Sequence, residues 1–319
     1  MPAIEIEGLT KDYSVGFWRP RPYRALDGLT LAVDAGEVFG FLGPNGAGKS
    51  TTLKLLMGLI FPTSGKTRIL GKAISDLGVR RRIGFLPENP YFYDYLTAEE
   101  LLHYYAGLCG LQGAERTRRV STVLDEVEIG AERRMRLRSY SKGMIQRVGV
   151  AQAIVNEPDL VFFDEPMSGL DPLGRRQVRE LILQLKDRGC AVFFSSHILS
   201  DAEALCSQVG VVAHGRLVAQ GRLAEMVAFE LRGWELVVSE LPEHVKPMLQ
   251  RRSVALTPLA DKRYTLELGP GESPEALIAE LAQNGVRVVS LNAIRTTLED
   301  YFVNQVQGAR PRDTTGLGA

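Results

Sequence analysis

One stretch, Gly43-Pro44-Asn45-Gly46-Ala47-Gly48-Lys49-Ser50, limits the folds open to this chain more than any other. It fits the pattern G-x-x-x-x-G-K-[ST]. The apolar run Val38–Leu42 precedes it, and residues 49–60 follow with helical periodicity. That is strand, loop, helix, the context in which such a loop cradles phosphate. Glycines let the backbone curl so that successive N–H groups point at an anion. The helix start adds the positive end of its dipole. Lys49 brings a compact charge for the β- and γ-phosphates, and Ser50 brings a hydroxyl for Mg²⁺. Thr51 is placed to bond a phosphate oxygen. The expectation is an α/β domain that binds ATP with Mg²⁺.

A second feature supports that reading. Residues 160–163 are a continuous apolar run, as in a strand covered on both faces, and Asp164-Glu165 end it. An Asp there is expected to sit beside the phosphate loop and hold Mg²⁺. The next carboxylate can polarise an attacking water. Alone, the pair also reads as a cap on the turn that starts at Pro166.

The 319 residues allow a full domain and a smaller one. Lys+Arg and Asp+Glu are both 38, a formal net charge of zero, so a broad polyanion-binding surface and a nucleic-acid partner are not expected. The cysteines, Cys109, Cys190 and Cys206, lie far apart and read as reduced, buried thiols. No run reaches the roughly 18 apolar residues that a membrane-spanning helix needs. Work at a membrane would require docking on a protein that spans it.

Along the chain, residues 4–10 read as an edge strand, 14–24 as a surface loop and 25–33 as a strand. Short strands follow at Ile83–Leu86 and 191–194, and a hairpin turns at His214-Gly215. Residues from about 97 to 150 form a mostly helical, charged insert. A boundary falls near 225. Beyond it the order strand (234–238), helix (242–251), strand (254–259), strand (263–268), helix (274–284), strand (287–291), helix (297–306) suggests a small α+β domain over 226–307, of ferredoxin-like type. Residues 308–319 read as a disordered tail.

Further segments, in order, make the chain resemble the nucleotide-binding subunits of ABC transporters over about residues 3–225. These are Tyr13; Tyr140-Ser141-Lys142-Gly143-Met144 with Gln146-Arg147; Ser168-Gly169-Leu170-Asp171; and His197. The resemblance implies a P-loop NTPase core of ABC type, with an N-terminal antiparallel β subdomain and a helical insert, plus the small C-terminal α+β domain. It implies that Tyr13 stacks on adenine and that Gly43, Asn45, Gly46, Gly48, Lys49, Ser50 and Thr51 hold the phosphates. Mg²⁺ would take Ser50, Glu88 and Asp164. Glu165 and His197 would be catalytic. Two subunits, identical or related, would pack head to tail. Ser141 and Gly143 would then face the γ-phosphate bound by the other subunit.

The sequence departs from the family pattern at two places. Glu88 stands where Gln is usual, and Lys142 and Met144 stand where Gly and Gln are common in the signature segment. After Glu88 come Tyr91, Phe92, Tyr93 and Tyr95. The resemblance makes residues 89–96 the groove for a separate transmembrane permease, and it leans to an exporter. The protein would work peripherally, at the cytoplasmic face of the membrane. The competing reading is a soluble ABC ATPase of DNA repair or translation.

Overall fold

The computed structural model describes residues 2–16, 18, 21–226, 231–251 and 255–295. The helix expected over 297–306, the tail expected over 308–319, Arg19 of the expected loop and the first residue of the strand expected from 254 lie outside them. The chain falls into two compact units that part between Leu223 and Ala224.

The first unit begins with β1 (Pro2–Val15) and β2 (Arg21–Asp34), then β3 (Val38–Leu42), α1 (Lys49–Leu56), β4 (Ser64–Ile69), α2 (Leu77–Arg80) and β5 (Ile83–Leu86). The insert follows as α3 (Ala98–Leu108), α4 (Gly113–Glu126) and α5 (Lys142–Ile154). Next come β6 (Leu160–Asp164), α6 (Pro172–Asp187), β7 (Ala191–Ser196), α7 (Leu199–Leu205), β8 (Gln208–Ala213) and β9 (Arg216–Arg222). A short helix, α8 (Leu223–Met226), ends this stretch.

Six strands form the central sheet in the order β5-β6-β7-β3-β8-β9, parallel except for the β8–β9 hairpin. Every residue of β3, β6 and β7 is buried, which accounts for their unbroken apolar runs. Register places Phe39 beside Phe193 and Phe162 beside Phe193. The rings accordingly meet at 5.5 and 5.9 Å between centroids, and Phe41 reaches Phe193 at 5.4 Å. Burial of each ring contributes about 1.5–3 kcal/mol. This aromatic ladder fixes the relative height of the three strands that end at the site.

A second sheet, β2-β1-β4, is antiparallel and shares one core with the central sheet. It corrects two expectations and adds a strand, β4, that the sequence did not announce. β1 is the middle strand and not an edge, because β4 pairs with it. The polar sequence Ser-Gly-Lys-Thr-Arg-Ile of β4 carries no apolar alternation to announce a strand. The loop expected over residues 14–24 is largely hairpin, with Tyr13 opposite Tyr23 and Val15 opposite Arg21.

The insert's first helix is closed by a capping box between Thr97 and Glu100. Its acidic first turn takes up the basic run that follows α4. Arg133 pairs with Glu99 at 2.8 Å and Arg136 with Glu100 at 3.0 Å. Cys190 and Cys206 are buried, and burial pushes the Cys190 thiol up to about 12. Cys109 is exposed, against expectation.

The second unit carries β10 (Leu231–Ser239), α9 (Lys246–Arg251), β11 (Ala255–Pro258), β12 (Arg263–Leu268), α10 (Pro274–Gln283) and β13 (Arg287–Arg295). Its antiparallel sheet runs β11-β12-β10-β13, the split βαββαβ order of a ferredoxin-like unit. Leu236, Val238, Leu266, Leu277 and Leu281 give it a core of its own.

Gly84 shows how tightly α5 lies on the central sheet. A Cβ at this position would stand 1.9 Å from the Ala153 carbonyl oxygen, an atom of the helix backbone that cannot swing aside. Gly84→Ala should destabilise the first unit by about 2 kcal/mol. The measurement is the urea midpoint at unchanged m-value, and an unshifted midpoint would show that α5 is free to move.

Candidate functional site

A cavity of about 520 Å³ opens at the carboxyl ends of the central strands. Its walls are Pro44, Asn45, Gly46, Gly48, Lys49, Ser50 and Thr51 from the glycine-rich loop and α1, Glu88 after β5, Glu165 and Ser168 after β6, His197 after β7, and Tyr23 and Ala25 from β2.

The loop is shaped by what precedes α1. Gly48 has φ +108°, a conformation that side chains other than glycine rarely adopt, and it starts the helix without a side-chain cap. The first amides of α1 thus keep their donor capacity for an anion in the cavity. Lys49 folds back over the loop. Its ammonium donates to the Gly43 carbonyl at 2.7 Å and stands 3.2 Å from Glu165 Oε1. Both side chains are under a tenth exposed.

The acidic end of β6 lies beside the phosphate loop, as Ser50 and Lys49 reach Asp164 and Glu165, although the sheet order puts β7 between β6 and β3. The connection is made through side chains. Ser195 on β7 is directly paired with Asp164 in the ladder. Its hydroxyl donates to Asp164 Oδ1 at 2.6 Å and accepts from the Glu165 N–H at 3.0 Å. Ser50 Oγ reaches the same Asp164 oxygen at 3.3 Å. Ser195 is a residue that the sequence reading missed, as it also missed Tyr23 and Ala25 on the cavity wall. The signal for Ser195 is the pair Ser195-Ser196, polar residues closing an otherwise apolar buried strand just before His197.

Glu165 holds a left-handed backbone, φ +49°, which costs a residue with a side chain about 1–2 kcal/mol. Pro166 disfavours the right-handed helical well for the residue before it. Ser195 anchors the Glu165 N–H, and the Ser168 N–H donates to the Glu165 carbonyl at 3.0 Å. The carboxylate is thereby aimed into the cavity. Glu165 Oε2 lies 2.8 Å from His197 Nδ1, and His197 keeps 43% of its side chain exposed.

Asn45, Gly46, Gly48, Lys49, Ser50, Thr51, Glu88, Glu165 and His197 therefore share one cavity, with the Gly43 carbonyl on Lys49 and Asp164 behind Ser50. Tyr13, Ser141 and Gly143 do not line it. Ser141 caps α5, accepting from the Met144 N–H at 3.2 Å, and its hydroxyl proton stays available to an acceptor. One turn further, Gln146 Nε2 donates to the Pro166 carbonyl at 2.9 Å and is 2% exposed. The helix that starts at Ser141 is thus bonded to the loop that carries Glu165.

Comparison with known proteins agrees with this geometry. The family description "ABC transporter" matches residues 26–168. An ABC transporter ATP-binding protein of Synechocystis is 44% identical over 95% of this chain and 84% of its own. The bacitracin transport ATP-binding protein of Bacillus licheniformis is 35% identical over 96% and 97%. Among solved structures, a dimeric ATP-binding cassette in a post-hydrolysis state with ADP and Pi superposes with a TM-score of 0.63 at 26% identity, covering 69% of this chain and 98% of that one. The glycine-rich loop, the Asp164–Glu165 strand end and His197 converge on one cavity in a chain with these relatives; it belongs to the ATP-binding subunits of ABC transporters and carries their ATPase fold.

Proposed function

We propose that two such subunits, identical or related, pack head to tail around ATP and Mg²⁺ and drive export through a separate membrane subunit. The observation that carries the reading is the grouping of Lys49, Glu165 and His197 on the cavity that the phosphate loop lines. Loop amides and Lys49 hold the β- and γ-phosphates, with Thr51 on a phosphate oxygen. The donors for Mg²⁺ are hard oxygens: Ser50 Oγ and Asp164 Oδ1, 3.3 Å apart, and the Glu88 carboxylate on the cavity wall. They suit an ion that takes one or two carboxylates, phosphate oxygens and water. Bound there, it would neutralise charge that develops on the phosphates.

Lys49 and Glu165 neutralise one another in this structure. A γ-phosphate takes over the Lys49 charge and leaves Glu165 to accept a proton from the attacking water. His197 orients that carboxylate through its 2.8 Å contact. Ser141 and Gly143 belong to the face that meets the other subunit's triphosphate. The dimeric cassette with ADP and Pi supports the pairing of two subunits.

No helix among the described residues is long and apolar enough to cross a membrane. Tyr91, Tyr93 and Tyr95 are 90%, 62% and 60% exposed next to Glu88, a patch suited to a membrane partner. The bacitracin transport relative supports a transport role, and the export direction rests on the family resemblance of the sequence. A soluble role in repair or translation is not favoured, because the relatives named above are transport proteins.

Glu165→Gln should lower Mg²⁺-dependent phosphate release about a thousandfold while ATP binding persists. Full turnover would remove Glu165 from the base role. Ser195→Ala leaves the Glu165 N–H and Asp164 short of a partner, at about 1–3 kcal/mol. Turnover should fall about tenfold, with more Mg²⁺ needed for half-maximal rate; an unchanged Mg²⁺ titration would mean that Ser195 does not set the metal site. Tyr93→Ala should keep ATP affinity and lose the stimulation of turnover by the membrane subunit, measured in reconstituted vesicles. Undiminished stimulation would place the docking surface elsewhere.

A further inference from the structure

His197 stands between a strand and a short helix. Behind it β7 ends at Ser196, whose hydroxyl accepts from the Ile198 N–H at 2.9 Å. Ahead of it α7 begins at Leu199 and carries Asp201 in its first turn. Asp201 is 1% exposed. Arg179 of α6 donates through Nη2 to Asp201 Oδ1 at 2.8 Å. Asp201 Oδ2 and Arg179 Nε are buried and have no hydrogen-bond partner among the described residues. The pair is therefore only half satisfied.

Such a pair is a poor way to hold two helices together. Taking both charges out of water costs more than an incomplete set of hydrogen bonds returns. Nor does α7 need the pair for attachment. Ala202 and Leu205 are buried, and a Cβ on Gly40 of β3 would stand 2.7 Å from Cys206 Sγ and 3.5 Å from the Ala202 side chain. Apolar contact thus presses α7 onto the strand that leads to the phosphate loop. Burial has no direction, so it leaves the register of α7 against α6 open. A charged hydrogen bond fixes that register.

The two helices start from the loops that carry Glu165 and His197. The loop that begins at Glu165 ends at Asp171, the cap of α6, whose carboxylate accepts from the Gly174 N–H at 2.8 Å. α7 begins two residues after His197. Glu165, α6, Arg179, Asp201, α7 and His197 thus form a closed ring, sealed by the 2.8 Å contact between Glu165 Oε2 and His197 Nδ1. We infer that Asp201 is a positioning residue: through Arg179 it sets the register of α7 and so holds the His197 ring against Glu165. This assignment rests on the role proposed above for His197 in ATP hydrolysis.

The test compares the full-length wild type, Asp201→Asn, Arg179→Lys and His197→Ala. Asparagine keeps the shape of Asp201, and Arg179, 34% exposed, meets water once its partner is neutral. Asp201→Asn should lower kcat for Mg²⁺-dependent ATP hydrolysis about tenfold, because a small misplacement of a reacting group costs that much or more. The KM for ATP should stay within about twofold, because the phosphate loop is untouched. Arg179→Lys, which keeps the charge and moves the donor, should lower kcat in the same way but less. With isotope-labelled histidines, NMR identifies the His197 imidazole resonance by its loss in His197→Ala. That resonance should be displaced in Asp201→Asn and Arg179→Lys, while those of His103, His214 and His244 stay. Unchanged kcat in the folded variants overturns the assignment. So does a fall in kcat with the His197 resonance in place, because Asp201 would then act through the fold alone. If circular dichroism shows Asp201→Asn unfolded, Arg179→Lys decides by the same two readings. Full turnover by His197→Ala is a different failure: it removes His197 from the reaction and strikes the reading beneath.

Discussion

A buried lysine and a buried glutamate, 3.2 Å apart, set the terms for the rest of the molecule. Taking two charges out of water costs several kcal/mol per ion, and the mutual attraction of such a pair seldom returns more than that. The Lys49–Glu165 pair is thus a poor device for stability. It is a good device for exchange, because each charge is held where a third, stronger charge displaces its partner. The left-handed backbone at Glu165 has the same character: local strain kept in place by Ser195 and Ser168 so that a carboxylate faces the cavity. The all-buried strands and their phenylalanine ladder supply the rigidity that both features need.

The loop and the acidic strand end that line the cavity were legible in the sequence because their patterns are local. The glycine-rich loop needs its glycines and Lys49 within a few residues of one another, and the strand–loop–helix context is readable from adjacent segments. Strand order was not legible. That β7 lies between β3 and β6 is decided by crossovers far apart in the chain, and so Ser195, whose role depends on that neighbourhood, went unseen. β4 was missed for a related reason. It pairs through its backbone and leaves most side chains in solvent, so no apolar alternation marks it. The hairpin ends of β1 and β2 were masked by their Arg, Pro and aromatic residues, which look like loop chemistry. In the second unit β10, β12 and α10 each bury one face, and there the alternation between strand and helix periods pointed to the ferredoxin-like order.

The departures from the family pattern fall at two different places. Glu88 lines the cavity and adds a negative charge where a neutral amide is usual. Lys142, in the first turn of α5, lies over the loop that follows Glu165: a Cβ on Gly169 would stand 2.2 Å from its ammonium. The positive charge rests on the loop that Gln146 also grips through Pro166. One departure makes the Glu88 wall of the cavity more anionic, and the other makes the first turn of α5 more cationic.

These contacts form a continuous physical route from the exposed tyrosines to the reacting end of the cavity. The Leu96 and Asp94 carbonyls accept from the Leu137 and Arg138 amides at 2.8 and 3.0 Å, which binds the aromatic loop to the segment leading into Ser141. From Ser141, α5 runs along the sheet so closely that Gly84 has no room for a methyl group, and Gln146 bonds it to the residue after Glu165. The same aromatic loop begins at Glu88, on the cavity wall. A load on the tyrosines would therefore meet two rigid connections to the cavity, one through Glu88 and one through α5. Packed elements of this kind shift as units and do not deform gradually. Displacement of α5 would move Ser141 and the Glu165 loop together, because Gln146 bonds that helix to Pro166.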